Sequence, residues 1–309
     1  MDNKLINWLL AGDPSIVYQV HRDLLDIDSM DHQIQIGLRG WGPKFLARRK
    51  SDGHWGMKYY QPKWTSSHYT LLDLRNLCLV RDNVKVKETI QLILEKERGP
   101  DGGINPSRAI KESDVCLNGM FLNIAAYFHT EQDQLESIID FILSQQLPDG
   151  GFNCMYNRWG ANHSSLHSTL SVLEGITEFE KNEYRYRVEE LGESKSRAIE
   201  FILLHRLYLS DRTGKIIRPE FLRLPYPSRW KYDILRALDY LRYSGQPWDE
   251  RMKPAMEVLM SKRLKDGRWP LNAPYPGQVH FHMENPGTPS RWNTLRALRV
   301  LKTYSKNYP

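Results

Sequence analysis

The chain has 309 residues, 40% hydrophobic and 26% charged, a balance that places it among soluble globular proteins with ample sequence for a large core. Its formal net charge is +6, but the basic residues are scattered, and the runs Arg48-Arg49-Lys50 and Lys262-Arg263-Leu264-Lys265 read as solvated surface, so no nucleic-acid partner is expected. Three widely separated cysteines, Cys78, Cys116 and Cys154, argue against a disulfide framework; with no signal peptide and no apolar run near the ~20 residues of a membrane span, the expectation is a cytoplasmic protein without an integral membrane segment.

In chain order, Asn3 to Ala11 reads as a helix, Gly12-Asp13-Pro14 as a break, and Ser15 to Leu25 as a second helix, with Asp13 or Ser15 as cap and Pro14 suited to a first turn. After the polar turn Asp26 to His32, a helix-like segment interrupted near Gly40-Trp41-Gly42-Pro43 ends at Ser51-Asp52-Gly53-His54-Trp55, and Ser66-Ser67 opens an apolar run from Tyr69 to Val80. The pattern then repeats. Lys87 to Glu97 leads to Asp101-Gly102-Gly103-Ile104, and Ser113-Asp114 opens Val115 to Phe128. Leu135 to Leu147 leads to Asp149-Gly150-Gly151-Phe152, and a Ser/His-rich segment opens Ser168 to Phe179. Ser196 to Leu209 leads to Asp211-Arg212-Thr213-Gly214, and Pro227-Ser228-Arg229-Trp230 opens a helix through Leu241. Pro254 to Leu264 leads to Asp266-Gly267-Arg268-Trp269, and Pro289-Ser290-Arg291-Trp292 opens the last helix.

Six helical hairpins result, with loops of unequal length between the turn aspartates Asp52, Asp101, Asp149, Asp211 and Asp266. The second helix of each pair, such as Phe121 to Phe128, is the more apolar and wants enclosure. First helices such as Glu88 to Arg98 carry a charged side that wants solvent. An inner ring of second helices with first helices outside satisfies both, as an all-α, (α/α)6 toroid in one domain, 1–309. The glycine of each turn reaches positive φ cheaply while the aspartate holds nearby amides. The aromatics that follow, Trp55, Phe152 and Trp269, read as packing staples.

Hairpins joined by Asp-Gly-(Gly/His/Arg)-(aromatic or Ile) resemble the terpenoid cyclase and protein prenyltransferase α/α toroid superfamily, over nearly the whole chain. Within it the chain looks like the single-domain bacterial proteins called squalene-cyclase-like or prenyltransferase-like. The Asp-x-Asp-Asp acid of class II cyclases is missing, its nearest approach being Asp26-Ile27-Asp28-Ser29 in a turn, and there is no Asp-Asp-x-x-Asp. Protein prenyltransferases hold zinc through Asp-x-Cys at the start of one inner helix and a His at the start of the next. The resemblance therefore implies Zn2+ on Asp114, Cys116 and His167, with His163 as the alternative to His167. Beside that stands a plainer reading, in which Asp114 caps the helix, Cys116 packs in the core and His167 is a hydrogen-bonded polar residue.

The converging loops supply His68, Tyr69, Trp159, His163, Trp230, Glu284 and Trp292 for a cavity that takes a hydrophobic, isoprenoid-type small molecule, with Arg229 and Arg291 to meet a diphosphate. Protein prenylation would need a partner subunit, and the sequence identifies none. Two other functions stay open: a non-catalytic ligand-binding toroid that has lost cyclase chemistry, and a carbohydrate-active (α/α)6 hydrolase or lyase using paired carboxylates.

Overall fold

The structure is a computed structural model that describes residues 3–107 and 109–308. It is all-α, with one two-stranded antiparallel sheet that pairs Trp269 with Ser290 and Pro270 with Pro289. The helices are α1 (Asn3–Leu10), α2 (Pro14–Leu24), α3 (Met30–Leu38), α4 (Trp41–Leu46), α5 (Ser67–Asn76), α6 (Val84–Lys96) and α7 (Val115–Tyr127). They continue as α8 (Gln132–Ser144), α9 (Tyr156–Trp159), α10 (Leu166–Lys181), α11 (Val188–Leu204), α12 (Ile234–Tyr243), α13 (Lys253–Ser261) and α14 (Arg291–Tyr304).

Burial alternates along the chain as the hydrophobic pattern requires. Every residue of α7 is buried, as are Ser67 to Leu74 of α5 and Ile234 to Leu241 of α12. The helices before α7 and α14 bury a single stripe: α6 only Val86, Thr89, Ile90, Ile93 and Leu94, and α13 only Ala255, Met256 and Leu259.

Two compact units are formed, interleaved in sequence: Met1–Arg48 with Asn76–Val80 and Leu203–Pro309, and Arg49–Arg75 with Arg81–Ile202. In the second, α7 packs on α10 through two glycines. A Cβ on Gly119 would sit 2.6 Å from Val172 Cα, and one on Gly175 would sit 2.3 Å from the Gly119 carbonyl oxygen, so only hydrogen fits at the crossing. Arg75 of α5 pairs with Glu178 of α10, whose carboxylate is otherwise enclosed. In the first unit, α14 packs against α2 and α12. Arg299 of α14 ties them together, bonding Asp23 of α2 at 3.0 Å and also Asp239 of α12.

The Asp-Gly turns carry a shared wiring. Gly53, Gly102, Gly150 and Gly267 have φ of +86°, +85°, +94° and +85°, and the preceding aspartate accepts a bond from the amide two residues on, as His54 N donates to Asp52 Oδ1 at 2.9 Å. The following residue then donates its backbone N–H to a side chain near the start of the second helix: Trp55 to Ser67, Ile104 to Asn118, Phe152 to Thr169 and Trp269 to Thr294, at 2.6 to 3.0 Å. Trp55, Phe152 and Trp269 are fully buried. They are the staples expected.

Helix ends follow the local signals in most places. Asp13 caps α2 by accepting Ser15 N at 2.9 Å with Pro14 in the first turn, and Asp114 caps α7. The expected opening of α12 at Pro227 to Trp230 is late by several residues. Asp233 accepts Arg236 N at 2.8 Å and becomes the cap, while Ser228 spends its hydroxyl on Asp233 at 2.9 Å. In α14 the matching serine, Ser290, is itself the cap, accepting Asn293 N at 3.0 Å. Accordingly the repeated Leu-Arg-Ala-Leu segment starts two residues later after Ser228, at Leu235, than after Ser290, at Leu295.

Candidate functional site

Three ligand-type side chains converge at the starts of α7 and α10. Asp114 Oδ1 accepts Cys116 N at 3.0 Å and Leu117 N at 3.4 Å, which fixes the carboxylate over the first turn of α7. Cys116 lies in that turn, buried. Cys154 follows the Asp149 turn, and its backbone N–H donates to Ser168 Oγ of α10 at 3.2 Å. The carboxylate oxygen and the two sulfurs all lie within 4.8 Å of one another.

Two thiols and a carboxylate are the donor set that zinc takes, with three protein ligands leaving a fourth position open. The residues present therefore fit the metal that the resemblance implies, but with a different third ligand. Neither His167 nor His163 belongs to the group. Ser168 and Thr169 of α10 take the Cys154 and Phe152 amides, and this seats the turn loop, with Cys154 on it, beside Cys116. His167 is half-buried on the first turn of α10, its carbonyl accepting Ser171 Oγ at 3.0 Å; His163 is exposed, its carbonyl accepting Asn153 Nδ2 at 2.7 Å. The neighbouring Cys154, together with burial, pushes Cys116 well above the ordinary thiol range, and the neighbouring Cys116 pulls Cys154 down.

An aromatic group stands beside the thiols. Burial raises the Tyr60 phenol, and the neighbouring Cys116, Asp114 and Cys154 add to the effect. Its hydroxyl meets the Tyr69 hydroxyl at 2.9 Å. Trp64 stands edge-on to Tyr69 at 4.8 Å. His68 is fully buried, with Tyr60 and Tyr69 rings 5.3 Å and 4.9 Å away, and its Nδ1 bonds the Tyr59 hydroxyl at 2.8 Å. Burial pushes its pKa down to about 3, so the imidazole is neutral. Trp159, expected in a cavity wall, is 65% exposed on the short helix α9 and encloses nothing.

The remaining expected residues lie in the other unit. Arg291 does not face an open mouth: its Nε donates to the Trp8 carbonyl at 3.1 Å and its guanidinium lies 4.5 Å from the Trp8 ring centroid. Glu284 is a helix cap, accepting Ser290 Oγ at 2.5 Å and Arg291 N at 2.6 Å. Trp292 is buried between Tyr226 and Trp41, at 4.5 Å and 5.9 Å. Trp230 is half-buried under Lys231 Nζ at 3.9 Å, and Arg229 is half-buried at φ +57°.

Sequence reasoning missed Cys154 and Tyr60. The available signal for Cys154 was its place just after the Asp-Gly-Gly-Phe turn, since each such turn is wired to the start of a second helix. No comparable signal marks Tyr60.

No family model and no curated protein matches the chain. Among solved structures it is similar to a polysaccharide lyase, at 12% identity over 79% of this chain and 73% of that one, TM-score 0.46. It is also similar to the type II terpene cyclase MstE from Scytonema, at 13% identity over 89% of this chain and 98% of that one, TM-score 0.37, and to a protein from Actinoplanes, at 14% identity over 90% and 100%, TM-score 0.35. At these identities the likeness concerns the all-α architecture alone.

Proposed function

We propose that this chain is a prenyltransferase-like zinc protein whose metal is held by Asp114, Cys116 and Cys154 and whose aromatic wall, Tyr60, His68 and Tyr69, receives a hydrophobic isoprenoid-type ligand. The observation that carries the reading is the convergence of two thiols and a carboxylate within 4.8 Å at the starts of two enclosed helices. When bound there, zinc supplies Lewis acidity and acidifies a thiol or water in its open position. Asp114 is oriented for this by the α7 amides, and Cys154 by Ser168. Cys116 and Cys154 would each give up the thiol proton on binding the metal. His68, neutral and dry, and the paired Tyr60 and Tyr69 hydroxyls keep water from the apolar side of the site.

Metal analysis of the purified protein tests this. One zinc per chain, lost in Cys154→Ala and in Cys116→Ala but kept in His167→Ala, supports the reading; absence of zinc after growth and dialysis in zinc-containing buffer removes it. Ligand capture is read separately, by quenching of tryptophan fluorescence with farnesol. A zinc-free chain that still binds farnesol supports the non-catalytic binding protein instead.

A further inference from the structure

In the unit that does not contain the thiols, Arg296 of α14 is 5% exposed, and among the described residues its Nη1 has no hydrogen-bond partner. Its guanidinium is ion-paired with Asp239 Oδ2, 3.6 Å from Nε, and Asp233 Oδ1, 3.9 Å from Nη2, both longer than a hydrogen bond. One helical turn earlier on the same face, Trp292 is 1% exposed, and its indole Nε1 is likewise without an acceptor. Tyr226 joins the two, its ring stacked on Trp292 at 4.5 Å and 5.8 Å from the Arg296 guanidinium.

Buried polar groups are almost always satisfied, and an arginine with five donors is the last side chain expected to stay dry without acceptors. The surrounding acids do not settle the account. Asp239 is shared among Arg242, Arg296 and Arg299, and Arg299 also reaches Asp23, which Arg22 already holds. Four arginines therefore stand around two aspartates. Asp233 adds one more carboxylate, which already accepts from Ser228 Oγ and Arg236 N. Positive charge is in surplus, and the two unused donors lie on one face.

We infer that Arg296 and Trp292 form a binding site for the carboxylate of an organic monoanion, the guanidinium taking one or both oxygens and the indole N–H the remaining lone pair. A planar carboxylate matches the guanidinium fork. A phosphate dianion would suffer more from Asp233 and Asp239, each within 4 Å of the same guanidinium. This site shares no residue with the thiol centre and does not depend on it.

Isothermal titration of the full chain with benzoate, uncharged benzamide and inorganic phosphate tests the inference. Saturable benzoate binding is expected, at least tenfold tighter than benzamide or phosphate. Trp292→Phe keeps the ring stack and removes only the N–H, and is expected to weaken benzoate about tenfold with little change in melting temperature. Arg296→Gln is expected to abolish binding. Absence of benzoate binding, equal binding of benzamide, preference for phosphate, or unchanged affinity in a folded Trp292→Phe each overturns the carboxylate site.

Discussion

Asp101 grips Ser113 twice: Oδ2 accepts the Ser113 backbone N–H at 2.7 Å and Oδ1 accepts its hydroxyl at 2.6 Å. Asp149 and Ser164 repeat the clamp one hairpin later, at 2.8 and 2.5 Å. The turn aspartate thus does more than close its own turn; it fixes the segment that leads into the second helix. Ser113 is fully buried, so Ser113→Ala removes a bond to a charged acceptor and is expected to cost about 1.5–3 kcal/mol. Asp101→Ala also frees the Ser113 amide and should cost more. Urea unfolding of the two variants checks the order; equal or negligible losses would mean the clamp is incidental.

The crossing of α7 and α10 leaves no room for a methyl group. Gly119→Ala and Gly175→Ala would each drive a Cβ into backbone atoms, and overpacking of this kind costs about 1–3 kcal/mol or more. Gly192, with open space around its Cβ position, is the control: Gly192→Ala is expected to leave stability unchanged or raise it. Thermal melts of the three variants separate a packing effect from a general dislike of alanine for glycine.

His68 gives the protein a dependence on acid. Burial lowers its pKa to about 3, below the ~6.5 of an unfolded histidine, so the unfolded chain binds a proton that the folded chain refuses. Its contribution is full above pH ~6.5 and is lost as pH falls toward 3, at a slope approaching ~1.4 kcal/mol per pH unit. In His68→Gln the fall of stability between pH 6.5 and 4 should be shallower than in wild type. Parallel stability curves over that range would show that His68 is not the group responsible.

For Asp239, burial alone would raise the carboxyl, but Arg299 and Arg242 outweigh it and hold the group well below the usual carboxylate range. Asp239→Asn keeps the shape and leaves three arginines around an amide. A loss of about 3–5 kcal/mol is expected, as for breaking one side of a buried pair. The double variant Asp239→Asn with Arg299→Met should recover part of it, because one of the stranded charges has gone. Chemical denaturation of the single and double variants measures this coupling directly.

The sequence by itself determined the all-α class, most hairpin boundaries to within a few residues, though α11 starts at Val188 rather than near Ser196, and the enclosure of second helices such as α7. Those features rest on short-range causes: glycine at positive φ after each turn aspartate, caps such as Asp13 and Asp114, and the apolar count of segments like Phe121 to Phe128. Asp114 and Cys116 were legible because they stand two residues apart at one helix start. Tertiary structure decided the rest. Cys154 joins them, in place of His167, because Ser168 and Thr169 bind the amides of a distant turn loop and leave that loop's thiol beside Cys116. Arg291 is tied to Trp8, and Arg296 is buried with its Nη1 unpaired among the described residues, through packing against residues far along the chain. Local propensity names an element and its ends, whereas a side chain's neighbours across the core depend on how helices pack at a few ångströms.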